Sequence, residues 1–305
     1  MTALTAPQFT NEEAARAHLE AIRWPTGPVC PHCGSVGFYR LDGKAHRPGL
    51  LKCKDCAKQY SVTVGTVFER SKIPLTKWLM AVYLLCSSKK GISSHQIHRT
   101  IGVTYKTAWF MTHRIREAMR DTSTDQLGGE GTSGIVEADE TYFGKIRGQG
   151  KGGHIAKKEK VVALVERKGR MRAFHVPTVT ANTLKPILQA NISPKARVMT
   201  DTSSVYRKIK SDFASHETVN HGTHEYARGD VTTNTVEGFF GILKRGISGV
   251  YQHVDPEHLH RYVNEFSFRY NNRASMEVND EERARRALKG AAGKRLTYKG
   301  PEVRN

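Results

Sequence analysis

The chain has 305 residues, of which 38% are hydrophobic and 8% aromatic, so a packed core is available and wholesale disorder is excluded. Its 48 Lys and Arg residues outnumber 29 Asp and Glu residues and give a net charge of +19. This excess indicates a polyanionic partner, most simply nucleic acid, and no small-molecule substrate. No run approaches about eighteen apolar residues and the N-terminus lacks a secretory signal, so we expect a cytoplasmic protein without a membrane partner.

Four of the five cysteines form two C-x-x-C pairs, "CPHC" (Cys30, Cys33) and "CKDC" (Cys53, Cys56). The nineteen residues 34–52 separate the pairs, which is the spacing of a four-cysteine zinc ribbon. A redox C-x-x-C is the alternative, but that motif usually occurs singly beside a βαβ unit. We therefore expect one structural Zn²⁺ that supplies folding free energy. Whether the ribbon also contacts DNA stays open at this point.

Residues 93–119, "SSHQIHRTIGVTYKTAWFMTHRIREAM", predict a helix, a short turn and a second helix. Gly102 falls at the turn and Thr104 can cap the second helix. The start of a second helix is where a helix-turn-helix presents side chains to DNA. We expect Lys106 and Arg114 on that helix to contact DNA. The alternative is a pair of packed helices without a DNA role.

A polar segment at 121–134, "DTSTDQLGGEGTSG", predicts a linker. Three predicted strands follow it, and then helices and strands alternate, which indicates an α/β domain with a mixed sheet. Between the first two strands, 145–160 is rich in Gly and Lys and predicts a loop. Its excess of basic residues favours contact with phosphates.

Two aspartates lie where folding alone explains them poorly. Asp139 falls within the first predicted strand of the α/β domain, and Asp201 ends a later one. A carboxylate beside a buried strand costs desolvation free energy unless it is paired or binds a metal. For Asp201 alone, capping of a turn is an alternative. Glu137 shares the strand face of Asp139, whereas Glu140 points to the opposite face, and we assign neither to a metal site.

The segment "NTVEGFFGILKRG" predicts an amphipathic helix with Asn234, Glu237 and Lys244 on one side. Glu237 and Lys244 lie about 20° apart around the axis and roughly 10 Å apart along it. With Asp139 and Asp201, Glu237 brings three negative charges, which two divalent cations and a scissile phosphate would balance. Lys244 lies two turns further on, where it can contact phosphate.

Four stretches carry a resemblance to a known family: "VEADETYFGK", "VMTDTSSVY", "VNHGTHEYARGDVTTNTVEGFFGILKRGISGVYQHV" and "HLHRYVNEFSFRYNNR". They closely resemble bacterial insertion-sequence transposases with an N-terminal zinc ribbon and a DDE-type catalytic domain. The resemblance covers the ribbon, the helical region and nearly everything from 134 to 273. It implies a ribonuclease-H-like fold, two Mg²⁺ or Mn²⁺ ions per active site and cutting at transposon ends.

The third metal-site residue stays open between two positions. Members of this group have either Asn or Glu there, and this chain has both Asn234 and Glu237. The helical phase admits either, and we favour Glu237 because an anionic oxygen binds a hard cation better than a neutral amide. Lys244 and Arg245 are expected to bind DNA phosphate. Weaker candidates for orienting substrate or activating water precede the helix: His221, His224 and Tyr226.

The expected fold class is therefore α/β, a ribonuclease-H-like mixed-sheet catalytic domain preceded by a zinc ribbon and a helix-turn-helix region. The expected divisions are an N-terminal helix and zinc ribbon (1–68), a helix-turn-helix region (69–120), a linker (121–134), a DDE catalytic domain (135–275) and a basic C-terminal tail (276–305).

The expected function is a transposase that binds terminal inverted repeats, cleaves DNA ends and transfers the 3′-OH strand to target DNA. Its expected partner is double-stranded DNA, on which it forms a homo-oligomer, associated with the nucleoid in the bacterial cytoplasm. Two alternatives remain: a non-catalytic zinc-ribbon and helix-turn-helix regulator, which leaves the three carboxylates unexplained, and a metal-dependent nuclease without strand transfer.

Overall fold

A computed structural model of the chain describes residues 3–144 and 158–297. Most of the predicted Gly- and Lys-rich loop, residues 145–157, lies outside these ranges. The chain divides into two compact units, residues 1–120 with 277–305 and residues 121–276. Within the described residues, no helix combines the length and apolar character that crossing a membrane requires.

The α-helices in chain order are α1 (Pro7–Thr10), α2 (Glu12–Arg23), α3 (Leu75–Ser87), α4 (Ser94–Ile101), α5 (Tyr105–Ala118), α6 (Ala181–Asn191), α7 (Asn234–Gly246), α8 (Pro256–Asn271) and α9 (Asp280–Lys289). The strands are β1 (Phe38–Arg40), β2 (Leu51–Cys53), β3 (Gln59–Tyr60), β4 (Ile135–Phe143), β5 (Glu159–Glu166), β6 (Met171–Val176), β7 (Arg197–Asp201), β8 (Ser215–Val219), β9 (Ala227–Arg228) and β10 (Val231–Thr232).

The first unit begins with helices and the zinc ribbon. Asn11 caps α2 by accepting the N–H of Ala14 at 2.9 Å. Strands β1, β2 and β3 form an antiparallel sheet in that order. Each strand is only two or three residues long, so the sheet cannot bury a core by itself. Its stability depends on the two C-x-x-C pairs, which are expected to hold the metal.

Helices α4 and α5 form the predicted helix-turn-helix pair. Ser93 caps α4 through the N–H of Gln96, and Thr104 caps α5 through the N–H of Thr107. Gly102 lies between them at φ 63°, in the left-handed region that glycine tolerates best. Beyond its first turn α5 is largely buried, so only its N-terminal end is open to a partner.

Helix α9 (Asp280–Lys289) belongs to the first unit, where the sequence had indicated a basic tail. Helix α9 packs against α2, α3 and α5. Ala284, Ala287, Leu288 and Ala291 are buried, and their helical spacing explains why the segment docks. The zinc ribbon and the helical region likewise form one unit, where the sequence had indicated a division after residue 68.

The second unit is built on a five-stranded mixed sheet in the order β6-β5-β4-β7-β8. Strand β5 is antiparallel to both of its neighbours, β4 and β6, whereas β7 is parallel to β4 and β8 is parallel to β7. This arrangement confirms the expected mixed-sheet α/β fold of ribonuclease-H-like type.

Helices cover both faces of this sheet. One face packs against α6 and the turn Ser204–Ile209 through Val136, Ala138, Leu164 and their neighbours. The other face packs against α7 and α8 through Val161, Ala163 and Val165. The buried side chains that α7 contributes are Val236, Phe239, Phe240 and Leu243.

The polar segment 121–134 belongs to the second unit and is bound to it, where the sequence had indicated a linker. Leu127 is buried and exchanges backbone hydrogen bonds with Asn191 and Ser193 at 2.8 Å each. Arg172 donates to the carbonyls of Ser123 and Asp125. Leu127 and Arg172 therefore fix segment 121–134 to the second unit, although its polar composition gave no indication of ordered packing.

Candidate functional site

Strand register brings Asp139 and Asp201 together on one sheet face. Strands β4 and β7 are parallel, with Glu137 opposite Met199. Two residues further along each strand lie Asp139 and Asp201, and side chains two apart share a face. This is the face that α7 covers, because Asp139 pairs with Ala163 and Ala163 packs in the α7 cluster.

Asp139 is a largely buried carboxyl group in an acidic environment. One oxygen accepts the N–H of Glu140 at 2.8 Å. Burial raises the pKa of Asp139 to about 8, against the opposing effect of that hydrogen bond and with the help of negative charge on Glu140, Asp201 and Glu237. A carboxyl in this state favours a proton or a cation.

Asp201 lies at the end of β7, where the chain turns. Its Oδ1 accepts the N–H of Ser203 at 3.0 Å, so the turn-capping role considered from the sequence is present. A carboxylate has two oxygens and about four acceptor positions, so this single bond leaves capacity for a cation.

Helix α7 carries Glu237 near its start and turns it away from the buried face. The Glu237 side chain is 43% exposed. Its Oε1 accepts the hydroxyl of Thr233 at 3.0 Å and lies 3.5 Å from Nε2 of His221. His221, a weak candidate from sequence, is thus in contact with the helix carboxylate, and its ring lies 5.4 Å from that of Tyr226.

The remaining candidates on α7 are exposed. Asn234 is the first residue of the helix, and its backbone N–H bonds to Thr232 Oγ1 at 3.1 Å. Lys244 and Arg245 lie in the last turn, open to solvent. Both side chains are exposed, and their contact with DNA phosphate stays a prediction.

Arg114 is buried, so the prediction that it contacts DNA is wrong. Its residue is 6% exposed, and its guanidinium donates to the carbonyls of Leu296 at 3.0 Å and Glu69 at 3.1 Å. It also stacks over Phe110. A buried guanidinium bound to backbone carbonyls stabilises the first unit and does not reach a DNA backbone, whereas Lys106 in the first turn of α5 is exposed.

The four cysteines form a compact group that fits zinc. Their sulfur atoms all lie within 4.8 Å of one another, with Cys30 and Cys56 3.7 Å apart and Cys33 and Cys53 3.5 Å apart. A tetrahedral site with Zn–S bonds of about 2.3 Å requires S–S separations of about 3.8 Å. The backbone N–H of Cys56 lowers the pKa of the Cys53 thiol to about 6, whereas the neighbouring thiols, against the backbone N–H of Ser35, raise that of Cys33 to about 12. The group therefore shares protons among its sulfur atoms, and a bound zinc would displace them.

The carboxylate oxygens of Asp139, Asp201 and Glu237 lie further apart than the four cysteine sulfur atoms. Within the described residues, the cysteines alone form a group of three or more ligands inside 4.8 Å. Three carboxylates that flank two ions roughly 4 Å apart need not converge so closely. Their oxygen atoms and the raised Asp139 pKa suit hard divalent cations.

Glu137 connects β4 to Arg167 and to the start of α7, although the sequence alone assigned it no role. Glu137 is fully buried and accepts hydrogen bonds from Arg167 and from the start of α7. Its offset of two from Asp139 was the available indication, since it put both side chains on the face that α7 covers. The sequence carried no indication of the Arg167 partner, thirty residues away.

A zinc ribbon and a ribonuclease-H-like unit with carboxylates on its sheet are typical of a DDE-type transposase. Two family descriptions match the chain: the ISXO2-like transposase domain at residues 131–271 and the transposase zinc-ribbon domain at residues 10–59. An uncharacterized protein in transposable element ISH50 of Halobacterium salinarum is 30% identical over 278 residues, covering 86% of this chain and 91% of that protein. The chain belongs to the ISXO2-like transposase family.

Among solved structures, the chain is similar to a simian T-cell lymphotropic virus intasome in complex with PP2A regulatory subunit B56 gamma. The match has 15% identity and a TM-score of 0.29, and covers 56% of this chain and 63% of that chain, less than two thirds of its length. A likeness at this level carries no conclusion about the present chain.

Proposed function

We propose that this transposase binds the terminal inverted repeats of its element, cleaves the DNA ends and transfers the 3′-OH strand to target DNA. The observation that supports this most is the placement of Asp139 and Asp201 on one sheet face, with Glu237 acting electrostatically on Asp139 from the covering helix. A DNA-binding regulator would have no use for a buried acid with a raised pKa at that position.

The proposed reaction consists of two phosphoryl transfers. Water attacks the phosphorus at the transposon end, and the 3′-oxygen leaves, takes up a proton and becomes a free 3′-OH opposite a 5′-phosphate. That 3′-OH then loses its proton and attacks a target phosphodiester, whose own 3′-oxygen leaves as a new 3′-OH. When bound by Asp139, Asp201 and Glu237, two Mg²⁺ or Mn²⁺ ions would supply Lewis-acid stabilisation of the attacking and leaving oxygens. His221 orients Glu237 through its 3.5 Å contact, and Lys244 holds DNA phosphate.

We assign the third metal-site position to Glu237 and leave Asn234 as a supporting residue. Glu237 bears a charge that acts on Asp139, which is what a shared cation site requires. Asn234 offers a neutral amide oxygen at the exposed start of the helix, and a hard cation binds it less well.

Double-stranded DNA, as transposon ends and as target, is the proposed partner. The net charge of +19 supplies phosphate affinity without sequence preference. Exposed groups at the start of α5, including Lys106, would reach base edges, and the zinc ribbon belongs to the same unit. Two transposon ends must be brought together, so we propose a homo-oligomer on DNA.

The test is strand transfer of a labelled, pre-cut end of the element into plasmid DNA, with and without Mg²⁺. Joined product that requires Mg²⁺ or Mn²⁺ supports the proposal. Cleavage of an uncut end without joining of the pre-cut one would identify a nuclease. DNA binding with neither cleavage nor joining, at any Mg²⁺ or Mn²⁺ concentration, would identify a regulator.

A further inference from the structure

Glu137 is a buried carboxylate whose two oxygens are fully used. Its exposed fraction is 0%. Oε1 accepts from Nε of Arg167 at 2.6 Å and from the hydroxyl of Thr235 at 2.8 Å. Oε2 accepts the backbone N–H groups of Thr235 at 2.7 Å and Val236 at 3.1 Å. Four hydrogen bonds to one carboxylate leave it no room to ligate a metal itself.

Helix α7 relies on this strand carboxylate for its N-terminal cap. The N-cap residue Thr233 makes no side-chain capping bond, and its hydroxyl donates to Glu237 instead. The first N–H groups of a helix have no partner inside the helix, and negative charge at that end is stabilising. Glu137 supplies both the acceptor and the charge from β4, two residues before Asp139.

Arg167 extends the same connection to the segment before the helix. Besides Glu137, its guanidinium donates to the carbonyls of Asp230 at 2.7 Å and Thr232 at 3.0 Å. The side chain is 18% exposed, so these bonds form largely out of water. A planar guanidinium with fixed donors sets direction as well as distance. Arg167 therefore fixes the end of β10 relative to the helix that follows.

We propose that Glu137 and Arg167 are positioning residues that hold Glu237 at the correct distance from Asp139 and Asp201 to share the divalent cations. Strand β4 carries one carboxylate of the site and, through Glu137, the start of the helix that carries another. A shift of α7 along its axis or around it would move Glu237 relative to both aspartates. This inference depends on the proposed function, because it assumes that the three carboxylates act together.

The test compares Glu137→Gln with Glu166→Gln in the full-length zinc-loaded protein. Glu166 is a second buried carboxylate at the end of β5, 3% exposed, and it accepts the N–H of Gly128 at 3.1 Å. It pairs with Val136 and so lies on the sheet face opposite α7. Both substitutions remove a buried charge at nearly constant shape. The readouts are Mn²⁺ affinity of the DNA-free protein by electron paramagnetic resonance, the rate of end cleavage against Mn²⁺ concentration, and the melting temperature.

For Glu137→Gln we expect Mn²⁺ affinity to fall about 10-fold or more, the range typical of residues that orient metal ligands. The cleavage rate should recover in part at high Mn²⁺. Glu166→Gln should keep wild-type Mn²⁺ affinity even if its melting temperature falls equally. Arg167→Lys keeps the charge but loses the planar fork, so it should weaken Mn²⁺ affinity in the same direction, and it substitutes for Glu137→Gln if that variant fails to fold.

Three results would overturn the inference, and they are distinguishable. A folded Glu137→Gln or Arg167→Lys protein with Mn²⁺ affinity within 2-fold of wild type would remove the positioning role and leave the proposed function standing. A wild-type protein that neither binds Mn²⁺ nor cleaves its own element's ends would remove both. Equal losses of affinity in Glu166→Gln and Glu137→Gln would reduce the effect to general destabilisation.

Discussion

Replacing Asp139 by Asn should change how stability depends on pH. In the metal-free protein the pKa of Asp139 is raised from the ordinary 3.8 to about 8, chiefly by burial. Between these values the folded state retains a proton that the unfolded state has released. The unfolded state then binds fewer protons, so the free energy of unfolding falls as pH rises through this interval and levels off above about 8.

The magnitude follows from the same pKa shift. Each pH unit between about 4 and about 8 lowers the free energy of unfolding of the wild type, relative to Asp139→Asn, by about 1.4 kcal/mol. Across the interval this amounts to about 6 kcal/mol. Asn cannot ionise, so the variant lacks this contribution, while the titrations of groups that do not interact with Asp139 cancel in the comparison.

The assay is urea unfolding of both proteins from pH 4.5 to pH 9, in buffers cleared of divalent metals with the ribbon zinc retained. The difference in unfolding free energy should fall steadily with pH and become flat above about 8. Saturating Mn²⁺ should displace the Asp139 proton and restore wild-type stability at neutral pH. A difference that stays constant from pH 5 to pH 8 would refute the raised pKa and the buried acidic site on which it rests.

Three further outcomes are expected. Cys53→Ser should abolish the single equivalent of zinc measured by mass spectrometry and unfold the ribbon, whereas Cys86→Ala, outside the cysteine group, should keep its zinc. Arg114→Ala should lower the free energy of unfolding by about 1–3 kcal/mol and retain DNA affinity. Lys244→Ala should weaken DNA binding without loss of stability. The reverse pattern would contradict both assignments. Raising salt from about 50 to about 200 mM should weaken DNA binding about a thousandfold or more if roughly six phosphates are contacted, and a flat response would mean that the positive charge serves another purpose.

Features that depend on short-range pattern could be predicted from the sequence. The spacing of the four cysteines predicted a group whose sulfur atoms do converge. Gly102 and Thr104 predicted the turn and cap that join α4 and α5. The sequence predicted the two strands that carry Asp139 and Asp201. Their adjacency, however, follows from the parallel pairing of β4 with β7, which the sequence does not specify.

Features that depend on long-range packing could not be predicted in this way. Arg114 looked like one more exposed cation, because nothing local reveals that Leu296 and Glu69 supply carbonyls to it. The segment after residue 276 looked like a basic tail because its charge masked the apolar spacing of α9. Glu137 looked redundant because its partners are thirty and almost a hundred residues away.

The most direct test of the three-carboxylate site compares Glu237→Gln with Asn234→Ala in strand transfer of a labelled pre-cut end, at matched protein and Mn²⁺ concentrations. Loss of the Glu237 charge should abolish transfer while DNA binding persists. Loss of the Asn234 amide should reduce transfer by about 10–100-fold, as expected for a residue that supports a ligand. The opposite order would move the third ligand to Asn234, and near-normal transfer by both variants would contradict the site.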